Sequence, residues 1–250
     1  MSAMSTFAEE VSVRLRRLDA AADGGELDPA IELLTACLDG GGVIQAFGTG
    51  HSQAFAMEIA GRAGGLIPTN AVALRDVALF GNRDVAELQG PDLERDPGVV
   101  EELLAVTPRD PRDVFVIASN SGVNGSIVGL ALAVQERGHR VIAVTSLEHT
   151  NAVEPKHTSG KRLSEIADVV IDNLAPYGDA AVSIGDDISA GAVSSITGAY
   201  IAQQLTLGVT ERIAARGEVP PVYISANIPG GDDHNRGLED QYSGRIRRTS

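Results

Sequence analysis

Two stretches of this sequence decide its fold. They are Val43-Ile44-Gln45-Ala46-Phe47-Gly48-Thr49-Gly50-His51-Ser52 and Val114-Phe115-Val116-Ile117-Ala118-Ser119-Asn120-Ser121-Gly122. In each, a short apolar run leads into a turn of small and polar residues, and a segment with helical apolar spacing follows. A strand, a small-residue turn and a helix in this order direct backbone N–H groups toward an anion. The pair of turns therefore predicts one binding site for a phosphorylated ligand.

The alternation of strand and helix continues along the chain. The further strand candidates are short, apolar throughout and rich in β-branched residues, as in parallel strands that are covered on both faces. They lie at 113–118, 140–145, 168–171 and 222–225, and helices are predicted at 54–63, 127–137 and about 190–215. This order predicts an α/β fold with a doubly wound sheet and ligands bound beyond the carboxyl ends of its strands.

The chain is predicted to have a helical arm at residues 1–40 and one structural unit at 41–250. Apolar residues three or four apart indicate two helices between residues 5 and 38, and Gly40-Gly41-Gly42 leads into the first strand. The segment 91–111 is predicted to be a surface excursion with one short helix at 99–105. The basic stretch at 245–248 is predicted to be a solvated end.

Composition limits the class of protein. The 250 residues are 43% hydrophobic and carry a formal net charge of −14, which disfavours nucleic acid and anionic membranes as partners. The single cysteine, Cys37, allows no disulfide within one chain and fits a reducing compartment. No apolar stretch has the length of a membrane helix and no signal peptide is visible, so the predicted location is cytoplasmic.

Two familiar phosphate motifs are excluded at these turns. The dinucleotide motif Gly-x-Gly-x-x-Gly would need glycine where Gln53 stands, and no Gly-Lys-Ser/Thr of a P-loop follows either turn. A site lined by hydroxyls and small residues remains, since hydroxyls donate to phosphate without a buried cation. Small residues for tight turns and helix caps are the simpler alternative. The predicted phosphosugar-binding residues are Gly48, Thr49, Gly50, Ser52, Ser119, Asn120, Ser121, Gly122 and Ser126.

The two turns resemble the phosphosugar-binding motifs of SIS (sugar isomerase) domains. The resemblance covers roughly residues 7–222 and is strengthened by Thr145-Ser146 and by the run 167–172. Within that superfamily the chain looks most like a group of single-domain SIS proteins whose activity is uncharacterised. The resemblance implies a flavodoxin-like five-stranded parallel sheet with helices on both faces, phosphosugar binding, and a homodimer or homotetramer with sites near subunit interfaces.

The sequence departs from the SIS pattern in two places. Many SIS domains have a threonine after the second motif, where this chain has Val123-Asn124-Gly125-Ser126, so Ser126 is expected to take its role. Phosphoheptose isomerases carry a histidine on the late helix, but here that helix reads Ser194-Ser195-Ile196-Thr197-Gly198-Ala199-Tyr200. That departure disfavours their reaction and their metal, so no metal and no cofactor are predicted.

Four residues are candidates for the chemistry. Glu58 is the candidate base, because it shares a helix face with His51 about 10 Å from a phosphate held at the helix start. A surface pair of Glu58 with Arg62 is the equally weighted alternative. His51, His157 and His234 are candidate acids, and each is equally compatible with a place in a turn or a solvated loop. In N-acetylmuramic acid 6-phosphate etherases, a related group, a glutamate on the corresponding helix acts without metal.

These residues predict an enzyme that removes the C2 proton of a hexose or N-acetylhexosamine 6-phosphate. Elimination of the C3 substituent is the first hypothesis, and aldose–ketose isomerisation is the alternative. A sensor that binds a sugar phosphate without converting it is the third hypothesis. A dinucleotide-dependent oxidoreductase is excluded by Gln53.

Overall fold

Five short strands form a single parallel sheet in the computed structural model, which describes residues 2–90, 92–96 and 98–248. The strands are β1 (Ile44–Gly48), β2 (Thr69–Val72), β3 (Val114–Ala118), β4 (Arg140–Thr145) and β5 (Val169–Asp172). Their order is β2-β1-β3-β4-β5, and each neighbouring pair runs parallel. The predicted doubly wound five-stranded sheet is confirmed.

Helices connect the strands and cover both faces. They are α1 (Ala3–Asp23), α2 (Asp28–Asp39), α3 (Gln53–Ile59), α4 (Asp76–Leu79), α5 (Asp92–Arg95), α6 (Val99–Val106), α7 (Gly125–Glu136), α8 (Leu147–Ala152), α9 (Leu163–Ile166), α10 (Ser194–Ala215) and α11 (Gly231–Glu239). A two-stranded antiparallel hairpin, β6 (Ala180–Gly185) and β7 (Ile188–Ala192), precedes α10.

Alternate side chains of the central strands face opposite layers of helices. On one face, Ile44 and Val116 pack with side chains of α2, α3 and α10. On the other face, Phe47 and Phe115 pack with side chains of α6 and α7. Burial on both faces explains why these strands are apolar throughout rather than alternating. The hydrophobic runs that predict the strands therefore also place the two helix layers.

The N-terminal helices contribute to the first of these layers. Leu18 of α1 and Leu34 of α2 are buried in the same apolar cluster as Ile201 of α10. Both helices lie against α10, and α2 also contacts β1 and β3. The two helices predicted between residues 5 and 38 are confirmed, and the division of the chain at residue 40 stays a prediction.

One strand prediction is wrong. The segment 222–225 does not join the sheet, and its single bridge joins Val222 to Leu66. The edge strand is β2 instead, which holds the buried polar residues Thr69 and Asn70. Asn70 is satisfied at a distance: its Nδ2 donates to the Arg245 carbonyl at 2.8 Å and its Oδ1 accepts the Arg247 N–H at 2.7 Å.

The basic stretch at 245–248 is not a solvated end. The Arg248 guanidinium donates to the carbonyl oxygens of Ile67 and Thr69 at 2.6 and 2.7 Å. Arg247 lies over the Phe80 ring, with 4.1 Å from its guanidinium carbon to the ring centroid. These arginines neutralise local carboxylates and carbonyl dipoles of an acidic chain, so they act as a clamp on the amino ends of the strands.

Candidate functional site

Both turns lie at the carboxyl edge of the sheet. The first follows β1 and the second follows β3, and these two strands are hydrogen-bonded neighbours. The chain leaves β1 toward the layer of α3 and leaves β3 toward the opposite layer of α7. Such a reversal opens a crevice at the ends of the strands, which is where doubly wound proteins bind ligands.

The first turn is tight, and two of its residues must be glycine. A Cβ on Gly48 would lie 2.3 Å from the Ser52 carbonyl oxygen, so only glycine allows the chain to fold back there. Gly50 has φ +54°, the left-handed region that glycine enters at least cost. Residues 50–52 form a 3-10 helix that leads directly into α3. His51 and Ser52 are thereby held at the mouth of the crevice.

The second turn is stabilised from within and leaves one hydroxyl available. Ser119 Oγ accepts the Gly122 N–H at 3.1 Å, and Gly122 has φ +63° with the Thr145 and Thr150 hydroxyls packed beneath it. Within the described residues the Ser121 hydroxyl has no hydrogen-bond partner. Ser119 therefore shapes the turn, whereas the Ser121 hydroxyl is available to a ligand.

A small cavity of about 20 Å³ lies between the two turns and the start of α10. His51, Ser52, Ser119 and Asn120 all line it, so the structure brings together four of the residues predicted from sequence. Sequence reasoning missed the other walls. They are Phe55, Ala118, Val144, Asn173, Ser194, Ser195 and Gly198.

The missed residues carry a weak sequence signal. Asn173 Nδ2 donates to Asn120 Oδ1 at 3.1 Å, which fixes the orientation of Asn120 in the cavity wall. The pair Ser194-Ser195 opens α10, and Asp179 caps that helix by accepting the N–H groups of Val193 and Ser194 at 3.1 and 2.8 Å. The apolar pattern predicts a helix start near residue 190, which hides the two serines inside the helix. Recognition of an Asp cap would have placed its start correctly.

A carboxylate of the chain itself lies between the two turns on the opposite layer. Glu94, on α5, accepts the Thr49 hydroxyl at 2.9 Å and also accepts the Asn124 side-chain amide. Asn124 is the N-cap residue of α7, yet it makes no side-chain cap hydrogen bond to that helix. Asparagine at this position ordinarily caps the first-turn N–H groups. Here its side chain serves the Glu94 carboxylate instead.

The excursion that carries Glu94 is anchored on both sides. Leu93 is buried in the apolar cluster of α6 and α7. Asp96 accepts the Gly98 N–H and the Arg83 guanidinium, and both interactions hold the pKa of the Asp96 carboxyl below its usual range. Arg83 also pairs with Glu87 and Glu102. The single helix predicted at 99–105 is α6, and α5 is an additional helix in this segment.

A second cavity, of about 290 Å³, adjoins Glu94. Arg95, Asn124, Gly125 and Lys156 line it together with Glu94. Two cationic side chains therefore stand beside the carboxylate. Near the same helix start, Ser126 is only 1% exposed, and its Oγ has no partner among the described residues.

Glu58 lies just below the first cavity and does not line it. Its carboxylate accepts the Gln203 side-chain amide at 2.6 Å and pairs with Arg62, so the predicted i,i+4 pair is present. Phe55, three residues earlier on α3, lines the cavity, and residues i and i+3 share a helix face. The side chain of Glu58 is 21% exposed. It is held by α3 and α10 within about one helical turn of the cavity wall.

The other two candidate histidines lie away from the cavity. His157 accepts the Ser159 N–H at 3.1 Å through Nδ1 and lies against Gly129, one turn into α7. His234, on α11, is exposed, with its Nε2 3.1 Å from the Val222 carbonyl oxygen. The structure therefore groups His51 with the turns and leaves His157 and His234 apart from them.

Two properties concern the described ranges 2–90, 92–96 and 98–248 as a whole. In them, no group of three or more His, Cys, Asp or Glu side chains is arranged to hold a metal ion. No helix there is both long enough and apolar enough to cross a membrane.

The family model described as SIS domain matches residues 6–146. The chain is a SIS-domain protein of the UPF0309 family. It is 36% identical over 218 residues to UPF0309 protein lmo0025 of Listeria monocytogenes, covering 87% of this chain and 88% of the relative. UPF0309 protein BH3325 of Halalkalibacterium halodurans is also 36% identical, over 84% of this chain and 86% of the relative. The resemblance seen in the turns is confirmed.

Solved SIS structures share the fold at low sequence identity. A phosphoheptose isomerase from Francisella tularensis superposes with a TM-score of 0.55 at 16% identity, over 84% of this chain and all of that one. E. coli CFT073 c3406, solved in complex with a sugar phosphate, gives a TM-score of 0.53 at 17% identity, over 84% and 89% of the two chains. At these identities the likeness establishes the sheet and its helix layers.

Proposed function

We propose that this SIS-domain protein binds a sugar phosphate across the two turns and removes the proton at C2 of the sugar. The observation that carries this proposal is the convergence of both turns on one crevice, with the Ser121 hydroxyl unpartnered in the described chain and α7 without a side-chain cap. These donors suit a phosphate, because hydroxyls and first-turn N–H groups bind anions without requiring a cation. The sugar phosphate complex of the related E. coli fold supports the ligand class.

Glu58 is the proposed base. It stands on the same helix as His51, and α3 delivers both toward the sugar of a phosphate held at the turns. To act, its carboxylate must leave the Gln203 amide and Arg62 and turn toward the cavity. His51 is the proposed acid for the ring oxygen, since it lines the cavity. His157 and His234 stay as proposed accessory acids, to be tested by substitution.

Two reactions can follow from the same proton removal. With a hydroxyl at C2, the proton returns to C1 and an aldose becomes a ketose. With an acetamido group at C2, the carbanion expels the C3 substituent, and a C2–C3 double bond forms. The fold of the Francisella phosphoheptose isomerase supports isomerisation, and the serines at the start of α10, where that reaction is expected to need a histidine, support elimination.

Proton exchange in deuterated water tests the proposal. We expect the wild-type protein to exchange the C2 proton of glucose 6-phosphate or of N-acetylglucosamine 6-phosphate, as followed by proton NMR. Glu58→Gln should slow exchange by about 10² or more, which is the usual contribution of a general base. Glu32→Gln is the matched control, because Glu32 is an exposed carboxylate on α2. Absence of exchange with either sugar would refute the C2 chemistry.

A sensor is the second candidate function. It is favoured by the engagement of the Glu58 carboxylate with Arg62 and Gln203, away from the cavity. A sensor would bind the sugar phosphate in calorimetry and leave it unchanged. Ser121→Ala should then weaken binding without affecting the fold, because the hydroxyl it removes has no partner in the described chain.

We also propose that a second copy of the chain covers α3 and α10 in a homodimer or homotetramer in the cytoplasm. Met57 and Leu207 are 61% and 65% exposed on these two helices. Exposed apolar side chains on two packed helices are typical of an interface. Since both helices line the first cavity, the site would lie near the interface. Light scattering of the wild type and of Met57→Glu/Leu207→Glu tests this, with a smaller assembly expected for the variant.

A further inference from the structure

The contacts of Glu94 are those of an anion in a binding site. Its carboxylate receives one donor from each turn region, the Thr49 hydroxyl after β1 and the Asn124 amide at the start of α7. These two donors belong to segments 75 residues apart, and their convergence on one carboxylate is not required by the local geometry of either segment. A phosphoryl oxygen would accept the same two hydrogen bonds.

A second observation marks the same place as an anion site. The Asn124 side chain makes no cap hydrogen bond to α7, a twelve-residue helix. The first-turn N–H groups of α7 are therefore left to the positive end of the helix dipole without a side-chain acceptor. Ser126, in that first turn, has a buried hydroxyl with no partner among the described residues. Donors in excess of acceptors indicate that a group of higher negative charge than one carboxylate fits here.

We propose that Glu94 is an internal stopper, a carboxylate that occupies the phosphate subsite and that a phosphate monoester must displace. This inference rests on the proposed binding function and adds a control to it. Leu93 and Asp96 anchor the segment on each side of Glu94, so displacement needs only rotation of the Glu94 side chain. The Lys156 and Arg95 side chains line the adjoining cavity and offer the displaced carboxylate new partners.

The stopper sets a requirement for binding. A ligand must supply enough negative charge to outcompete a carboxylate already in place, so phosphate monoesters are accepted and neutral sugars are rejected. Because the competitor is tethered, it acts at a constant effective concentration. The apparent affinity for phosphate is thus reduced by the fraction of molecules in which Glu94 occupies the subsite.

Calorimetry with inorganic phosphate tests the stopper. We expect Glu94→Ala to bind phosphate at least tenfold more tightly than the wild type, and Glu94→Gln to lie between them. Asp92→Asn is the matched control: it removes one negative charge from an exposed residue of the same helix, and its affinity should stay within twofold of the wild type. Equal tightening by Asp92→Asn would mean a general charge effect and would overturn the stopper.

Two further measurements separate the stopper from the proposed function. Adding Ser121→Ala to Glu94→Ala should weaken phosphate binding again, and an unchanged affinity would place the phosphate elsewhere and overturn the stopper. The proposed function is judged by glucose 6-phosphate and N-acetylglucosamine 6-phosphate binding to the wild type. If either sugar phosphate binds the wild type and Glu94→Ala equally, the stopper is wrong and the function stands. If neither protein binds any phosphate ester, both proposals fail.

Discussion

Arg245 and Asp113 are 132 residues apart in the sequence, and their side chains form an ion pair of 2.6 Å at the amino ends of the central strands. The Asp113 side chain is fully buried. It also accepts the Val43 N–H at 2.8 Å and the Gln45 side-chain amide at 2.9 Å. A buried carboxylate of this kind ties the start of β1 and β3 to the C-terminal segment.

Arg245→Ala should be strongly destabilising. The substitution leaves the Asp113 charge buried without its cation, which typically costs about 3–5 kcal/mol of unfolding free energy. Urea unfolding of both proteins measures the difference. Arg236→Ala is the control, since Arg236 is exposed and its nearest carboxylate is 3.9 Å away, and it should change stability by less than about 0.5 kcal/mol. A loss for Arg245→Ala as small as that of the control would contradict the buried pair.

Cys37 should make the protein less stable at alkaline pH. Burial raises the pKa of its thiol from 9.0 to about 12. Between these values the unfolded chain releases the thiol proton while the folded chain keeps it, so the free energy of unfolding falls as pH rises. Cys37→Ala should flatten this part of the stability curve, as followed by urea unfolding from pH 8 to 11. Identical slopes for the two proteins would show that other groups cause the fall.

The first turn should tolerate substitution at Gly50 better than at Gly48. Gly50→Ala meets no atom within 4 Å and costs only the left-handed φ of +54°, about 1 kcal/mol. Gly48→Ala places a Cβ 2.3 Å from the Ser52 carbonyl oxygen, which must move with the start of α3. We expect a loss of more than about 2 kcal/mol in thermal unfolding and weaker phosphate binding. Equal effects at the two positions would refute the tight packing of Gly48.

Removal of the α10 cap should affect both stability and ligand binding. Asp179→Ala deletes the acceptor of the Val193 and Ser194 N–H groups, at a cost of about 1 kcal/mol. Because Ser194 and Ser195 form one wall of the first cavity, the frayed helix start should also weaken sugar phosphate binding. Asp179→Asn is the control: asparagine retains an acceptor and tolerates the positive φ of this position. It should recover most of both losses.

The elements that sequence predicts well are those whose burial is complete. The runs that form β1, β3 and β4 are apolar on both faces, so composition alone identifies them. The edge strand β2 escaped because Thr69 and Asn70 are polar and are satisfied by a segment about 175 residues further along the chain. The run at 222–225 has strand-like residues, yet it meets the rest of the protein only at Leu66.

The site shows the same division. The two turns are recognisable from glycines and hydroxyls that are local in sequence, and His51, Ser52, Ser119 and Asn120 do meet in the cavity. Glu94 could not be found in this way. It lies in an acidic excursion that resembles any solvated surface, and only the fold brings it to Thr49 and Asn124.

The C-terminal clamp has a consequence for how copies of this protein meet. The Pro68 carbonyl accepts the Ile44 N–H of β1, so the next carbonyl, that of Thr69, points to the open side of β2. Arg248 occupies that oxygen and the Ile67 carbonyl. A strand from another molecule would have to displace a guanidinium before adding to this side. The arginines thus protect the sheet against edge-to-edge aggregation, a hazard that open edge strands otherwise carry.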